Sequence, residues 1–115
     1  MILAIRTDKA QAELYLLDTG GKVMAKHIWL ADRELANTLL PEIKKLLAKN
    51  KLKLSNLTGV AVFTGSGSFT GLRIGTTVTN ALGYGLKIKV AKIADKDWLT
   101  KIPTALEKVK AGSFV

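Results

Sequence analysis

Thr58–Gly65 reads TGVAVFTG, an apolar run without a charged residue, and it runs straight into the glycine-rich Gly65–Gly71, GSGSFTG. No other feature constrains the fold as much. A strand apolar on both faces belongs in the interior of a sheet covered on both sides, where central parallel strands lie. Parallel neighbours need a crossover connection, and a helix from about Thr70 to Leu86 supplies one. The segments before it predict an antiparallel meander. Ile2–Thr7 (ILAIRT) reads as a first strand. Gln11–Leu17 alternates Ala12, Leu14 and Leu16 against Glu13, Tyr15 and Leu17. Asp18-Thr19-Gly20-Gly21 is a turn, since glycine tolerates the backbone angles a hairpin requires. Lys22–Leu30 then returns with Val23, Ala25, His27 and Trp29 on one face.

The helices follow from spacing. In Arg33–Asn50 the apolar positions Leu35, Ala36, Leu39, Leu40, Ile43, Leu46 and Leu47 span an arc of about 140°, one buried side. Asp32 precedes them as a capping carboxylate, and Pro41 should kink or restart the helix. After the connector Leu52–Leu57 and the central strand, Thr70–Leu86 places Gly71, Gly75, Thr79 and Gly83 on one smooth ridge. Its apolar and small positions cover about 200°, wide for a helix lying on one sheet face. Either the neighbouring helix and the tail, or another subunit, must cover the excess. Lys87–Ile93 alternates Lys87 and Lys89 against Ile88 and Val90, as an edge strand guarded by lysines would. Residues 95–115 read as a tail holding a short helix broken near Pro103. The order β-β-β-α-β-α-β-(α) is the ribonuclease H-like plan, one half of the actin-like ATPase architecture: an α/β domain over residues 1–94 with a mixed five-stranded sheet, three antiparallel strands then two parallel.

Composition narrows the function. Cysteine is absent and His27 is the one histidine, which leaves no thiolate metal site, no histidine cluster and a poor case for a Ser/His/Asp triad. No apolar run approaches the roughly 20 residues of a membrane span, and MILAI is too short for a signal-peptide core. A cytoplasmic protein with no membrane partner is the expectation. The net charge of +9 favours acidic partners, and the densest basic stretch is Lys44, Lys45, Lys49, Lys51 and Lys53. With only three arginines and few aromatics, nucleic-acid contact is expected to be weak or shared with a partner.

The strand–glycine–helix junction is where backbone N–H groups can hold an anion. Gly65, Ser66, Gly67, Ser68, Thr70 and Gly71, with Arg73 a little further on, form the candidate anion-binding loop; a tight structural turn is the other reading. It is not a phosphate loop, since no Lys-Ser/Thr pair follows, and the third glycine is one residue late for a dinucleotide fingerprint. Carboxylates for metal catalysis are poorly placed: Asp8, Glu13, Asp18, Asp95 and Asp97 are scattered, and no metal site is expected. His27 reads as a packed or rim residue.

Gly65–Gly75, GSGSFTGLRIG, resembles the signature G-x-G-P-G-S-F-T-G-L-R-I-G of the TsaB (YeaZ) family. ILAI followed by Thr7, the Leu16-Leu17-Asp18 hairpin with its paired glycines, Leu39-Leu40-Pro41 and Leu52–Leu57 add to the match over about residues 1–100. The resemblance implies an actin-like ATPase fold with two related halves, of which this chain holds the first. It implies a non-catalytic relative of TsaD, which with TsaE and ATP transfers a threonylcarbamoyl group to the adenosine beside the anticodon of certain tRNAs. The chain is then expected to be a scaffold pairing with a TsaD-like subunit through its two long helices, with Leu40, Leu72, Gly75, Thr79 and Gly83 as contacts. Gly75→Leu or Gly83→Leu should block that pairing and leave the sheet folded. No cofactor is expected on this chain alone, ATP and Mg belonging to the partner. A homodimer through the same surface, or a phosphate-binding module using Gly65–Gly71, are the other readings. The sequence departs from the family in three places. Arg6, Thr7 and Asp8 replace the usual Asp-Thr-Ser, Ser66 replaces the loop proline, and the His-Ser pair near the first helix is missing around Asp32–Glu34.

Overall fold

Five strands form one mixed sheet in the order β3-β2-β1-β4-β5, in a computed structural model that describes all residues from Met1 to Val115. The strands are β1 (Ile2–Arg6), β2 (Gln11–Leu17), β3 (Val23–Leu30), β4 (Gly59–Phe63) and β5 (Lys89–Ile93). β1 pairs antiparallel with β2 and β2 with β3, while β4 lies parallel to both β1 and β5. This is the predicted ribonuclease H-like topology. β4 is buried at every position, as its two apolar faces require.

The helices are α1 (Leu35–Lys49), α2 (Phe69–Leu86) and α3 (Trp98–Glu107). Alternation along the strands sends side chains to two cores. On one face Leu3, Ile5, Leu14, Val60 and Val62 meet Leu39, Ile43 and Leu47 of α1 and Leu82 of α2. On the other, Ile2, Ala4, Ala61, Phe63 and Ala91 meet Trp98, Ile102 and Leu106 of α3. The helix in the tail thus closes the second face over β4 and β5. Over β2 and β3 that face stays open, with Met24, Ile28 and Leu30 exposed.

Several local expectations are corrected. Asp32 does not cap α1: its carboxylate accepts no helix N–H, and a 3-10 turn, Asp32–Glu34, intervenes. The N–H groups of Ala31 and Asp32 both bond back to Ala10 O at 3.0 Å, and Asp32 sits at φ 45°. That tether, rather than a side-chain cap, sets where α1 begins. Pro41 and Pro103 lie inside α1 and α3 without ending them. Each ring removes one helical hydrogen bond, which the packing of the apolar face outweighs. On β3 only Ala25, His27 and Trp29 turn toward α1; Val23 is exposed beyond a register shift at Leu16/Leu17. β5 is an edge strand as expected, but the face shared by Lys89 and Lys87 is not free, because Ala91 and Ile93 lie under α3.

Candidate functional site

The end of β1 and the start of α2 are built as one unit. Thr7 is fully buried, and its Oγ1 donates to Gly71 O at 2.7 Å. Ser68 N–H donates to Asp8 O at 2.8 Å, and Ser68 Oγ caps α2 by accepting from Gly71 N–H at 3.2 Å. A Cβ on Gly67 would lie 2.5 Å from Asp8 Cβ, and one on Gly71 only 2.1 Å from Thr7 O. The glycines are there because β1 runs against the loop at backbone distance.

This seating commits part of the loop. Ser68, Gly71 and Leu72 N–H groups are already bonded within the loop or to Asp8, while those of Gly65, Ser66 and Gly67 have no partner. Thr70, Ser68 and Gly71 line a cleft of about 370 Å³ with Thr7, Lys9 and Arg33. Gly65, Ser66 and Gly67 are not part of it. Arg73 is not either: its guanidinium lies 5.5 Å from the ring of the exposed Phe69, beside a second cleft between α1 and α2. Lys9 and Arg33 were missed by sequence reasoning because only the fold brings them to the loop.

Arg6 explains the carboxylates. Its Nε and Nη2 donate to the two oxygens of Asp8 at 2.8 and 3.1 Å, a bidentate pair with Asp8 5% exposed. The guanidinium also stacks 4.0 Å from the centre of the Phe63 ring. Hydrogen bonding to Asp8 raises the Arg6 pKa above its ordinary value, so the cation is permanent. Nearby, burial and a hydrogen bond to Glu13 push the Tyr15 phenol up to about 12. No three carboxylate or histidine side chains converge. A metal-bound phosphate does not fit this donor set, because the carboxylate nearest the loop is already committed to Arg6.

The interface residues need reassignment. Gly75, Thr79 and Gly83 face the sheet, not a partner: a Cβ on Gly75 would meet Thr7 Oγ1 at 2.4 Å, and one on Gly83 would meet Val90 Cγ1 at 2.4 Å. The small ridge is what lets α2 lie close on β1, β4 and β5. Gly75→Leu and Gly83→Leu would therefore disrupt the fold itself, contrary to the expectation above. Leu72 is half-buried beside the α3 core. Leu40 is 38% exposed on α1. The outward stripe of α2 carries Phe69, Arg73, Thr77 and Tyr84, with Phe69 and Tyr84 more than two-thirds exposed. Tyr84 lies near Phe114, and Val115 exchanges two hydrogen bonds with Asn80.

A mixed sheet of this order, with a glycine loop seating its crossover helix against the first strand, defines the ribonuclease H-like, actin-like ATPase fold. A family described as "TsaD: tRNA N6-adenosine threonylcarbamoyltransferase" matches residues 29–110. The chain is 32% identical over 94 residues to the tRNA threonylcarbamoyladenosine biosynthesis protein TsaB of Haemophilus influenzae, covering 82% of this chain and 39% of that protein. It is 30% identical over 100 residues to TsaB of Bacillus subtilis, covering 85% and 42%. YeaZ from Pseudomonas aeruginosa superposes with a TM-score of 0.73 at 31% identity, over 82% of this chain and 43% of that one. The chain belongs to the TsaB (YeaZ) branch of this family. It spans about two fifths of the length of the curated relatives it matches.

Proposed function

We propose that the chain acts in tRNA threonylcarbamoyladenosine biosynthesis as a non-catalytic scaffold that pairs with a TsaD-like subunit. The observation that carries this reading is the Arg6–Asp8 clamp. Where an active relative of this fold would present a free carboxylate toward metal and phosphate, this chain presents a neutralised, buried pair. The N–H groups of Ser68, Gly71 and Leu72, already bonded, argue in the same direction. ATP and Mg are then assigned to the partner. The pairing face on this reading is the outer side of α1 and α2, with Leu40, Phe69, Arg73 and Tyr84 as contacts. Apolar and aromatic groups this exposed suit a protein interface better than solvent.

Reconstituted modification tests the catalytic half of this proposal. The chain alone, given ATP, Mg and tRNA, should release no phosphate and form no modified nucleoside. Added to a TsaD-like subunit, TsaE and the threonylcarbamoyl donor, it should raise modified-nucleoside yield. ATP turnover by the purified chain alone would overturn the scaffold reading in favour of an active nucleotide site at Gly65–Gly71.

A further inference from the structure

The chain after α3 changes sides of the sheet. α3 itself lies on the second core, through Trp98, Ile102 and Leu106. Val115, by contrast, is half-buried against the first core. A turn redirects the segment between them: Ser113 N–H donates to Lys110 O at 3.2 Å, and Gly112 supplies the positive φ, 89°. Beyond the turn, Asn80 of α2 holds the backbone of one residue. Its Nδ2 donates to Val115 O at 3.2 Å, and its Oδ1 accepts from Val115 N–H at 2.8 Å. A primary amide carries a donor and an acceptor side by side, so it can pair with both backbone groups of an extended residue, as a neighbouring strand would. Phe114 lies beside Tyr84, with ring centroids 6.2 Å apart. Asn80 and Tyr84 stand one helical turn apart on the outward stripe of α2 that begins with Phe69 and Arg73.

We propose that residues 110–115 are a strap that covers the Asn80–Tyr84 part of the pairing face and must lift before a partner seats there. This rests on the assignment of that face, above, to the outer side of α1 and α2. The strap is lightly attached. Lys110, Ala111, Gly112, Ser113 and Phe114 are all exposed. What holds the segment to α2 is one amide pairing, one contact between two exposed rings, and the half-buried Val115 side chain. Contacts so few and so open to water release at low cost. The covered patch also states what can replace the strap. It fits an extended segment whose backbone pairs with Asn80 and whose preceding side chain is aromatic or apolar, to lie beside Tyr84.

Amide hydrogen exchange in the intact chain, followed by NMR, measures the strap without a partner. A strap docked about nine-tenths of the time protects the Val115 N–H and the Asn80 carboxamide about tenfold, and it weakens pairing about tenfold because only the open fraction is competent. Gly112→Val should release it. A β-branched side chain does not tolerate that φ, and nothing lies within 4 Å of the added carbon to disturb the rest of the fold. Phe114→Ser with Val115→Ser removes the contacts instead. Both variants should lose the protection and, in calorimetric titration, bind the TsaD-like subunit about tenfold more tightly than the parent. Ser113→Ala, at an exposed side chain on the turn, should match the parent. Urea unfolding followed through Trp98 confirms that the variants fold. Released variants that pair no better than the parent, or more weakly, would overturn the strap and leave the pairing reading standing. So would an unprotected Val115 and Asn80 in the parent. No pairing by the parent or by any variant would instead overturn the pairing reading, and the strap's gating role with it.

Discussion

Gly75→Ala should destabilise the chain, and Thr7→Ala should remove most of the effect. The new methyl carbon would sit 2.4 Å from Thr7 Oγ1, while its contacts to Val62 Cγ2 at 3.5 Å and Thr7 Cβ at 3.6 Å are ordinary. The strain thus falls on one hydroxyl, and that hydroxyl is bonded to Gly71 O inside the core. Overpacking a core costs about 1–3 kcal/mol. Displacing a buried hydrogen-bonded hydroxyl costs about 1–3 kcal/mol more. Alanine in place of glycine inside a helix returns about 1 kcal/mol. We take a net loss of about 2 kcal/mol. In the Thr7→Ala background the hydroxyl is gone, so Gly75→Ala should be neutral or stabilising by up to about 1 kcal/mol, a coupling near the top of the range for residues in contact. Urea unfolding followed through Trp98, which is 2% exposed, measures each corner of the cycle. Gly85→Ala is the control, because nothing lies within 4 Å of the added carbon; it should stabilise by up to about 1 kcal/mol. A Gly75→Ala variant as stable as the parent, or equally damaged in both Thr7 backgrounds, would refute close packing of α2 on β1.

Thr79→Val should stabilise by about 1 kcal/mol in the same assay, because Thr79 Oγ1 is buried without a hydrogen-bond partner and valine keeps the shape; a clear loss would mean the hydroxyl has a partner after all. Arg6→Met should cost about 2–3 kcal/mol by leaving the Asp8 carboxylate buried and unpaired, and Arg6→Lys should fall between, since lysine cannot reproduce the fork; a thermal melt unchanged by Arg6→Met would count against the clamp. The pH response follows from Tyr15. Its folded pKa lies above the ordinary value, so its contribution is intact below about pH 10 and is lost as pH rises toward about 12. Because the side chain is only half-buried, screening reduces the loss to about 1 kcal/mol. Unfolding at pH 9 and 11.5 should show it in the parent and not in Tyr15→Phe, and a parent with the same alkaline response as that variant would contradict the assignment.

The topology was legible because its signals are local and redundant. β4 is apolar at every position, β2 alternates cleanly, and the glycines of Gly65–Gly71 mark a strand-to-helix turn. Element ends were less legible where a distant contact decides them: Ala10 O fixes the start of α1, and Ile102, fully buried beside Pro103, holds α3 together across the ring. The site was read least well. The ridge Gly71, Gly75, Thr79 and Gly83 was visible as a smooth face, but smoothness states only that something approaches closely. Thr7, Val62 and Val90 turn out to be that something, and no spacing rule names them. Arg6 was legible as a departure from the family pattern. That it grips Asp8 needs the geometry of adjacent side chains at the end of β1.

The central claim is that this chain works by pairing. Size exclusion with light scattering, on the chain alone and mixed with the TsaD-like subunit of the same organism, measures it most directly. The account predicts a one-to-one complex that Phe69→Ser with Leu40→Asp abolishes and Thr79→Val leaves intact. A chain that elutes at its own mass, or as a dimer of itself, in the presence of that subunit would contradict it.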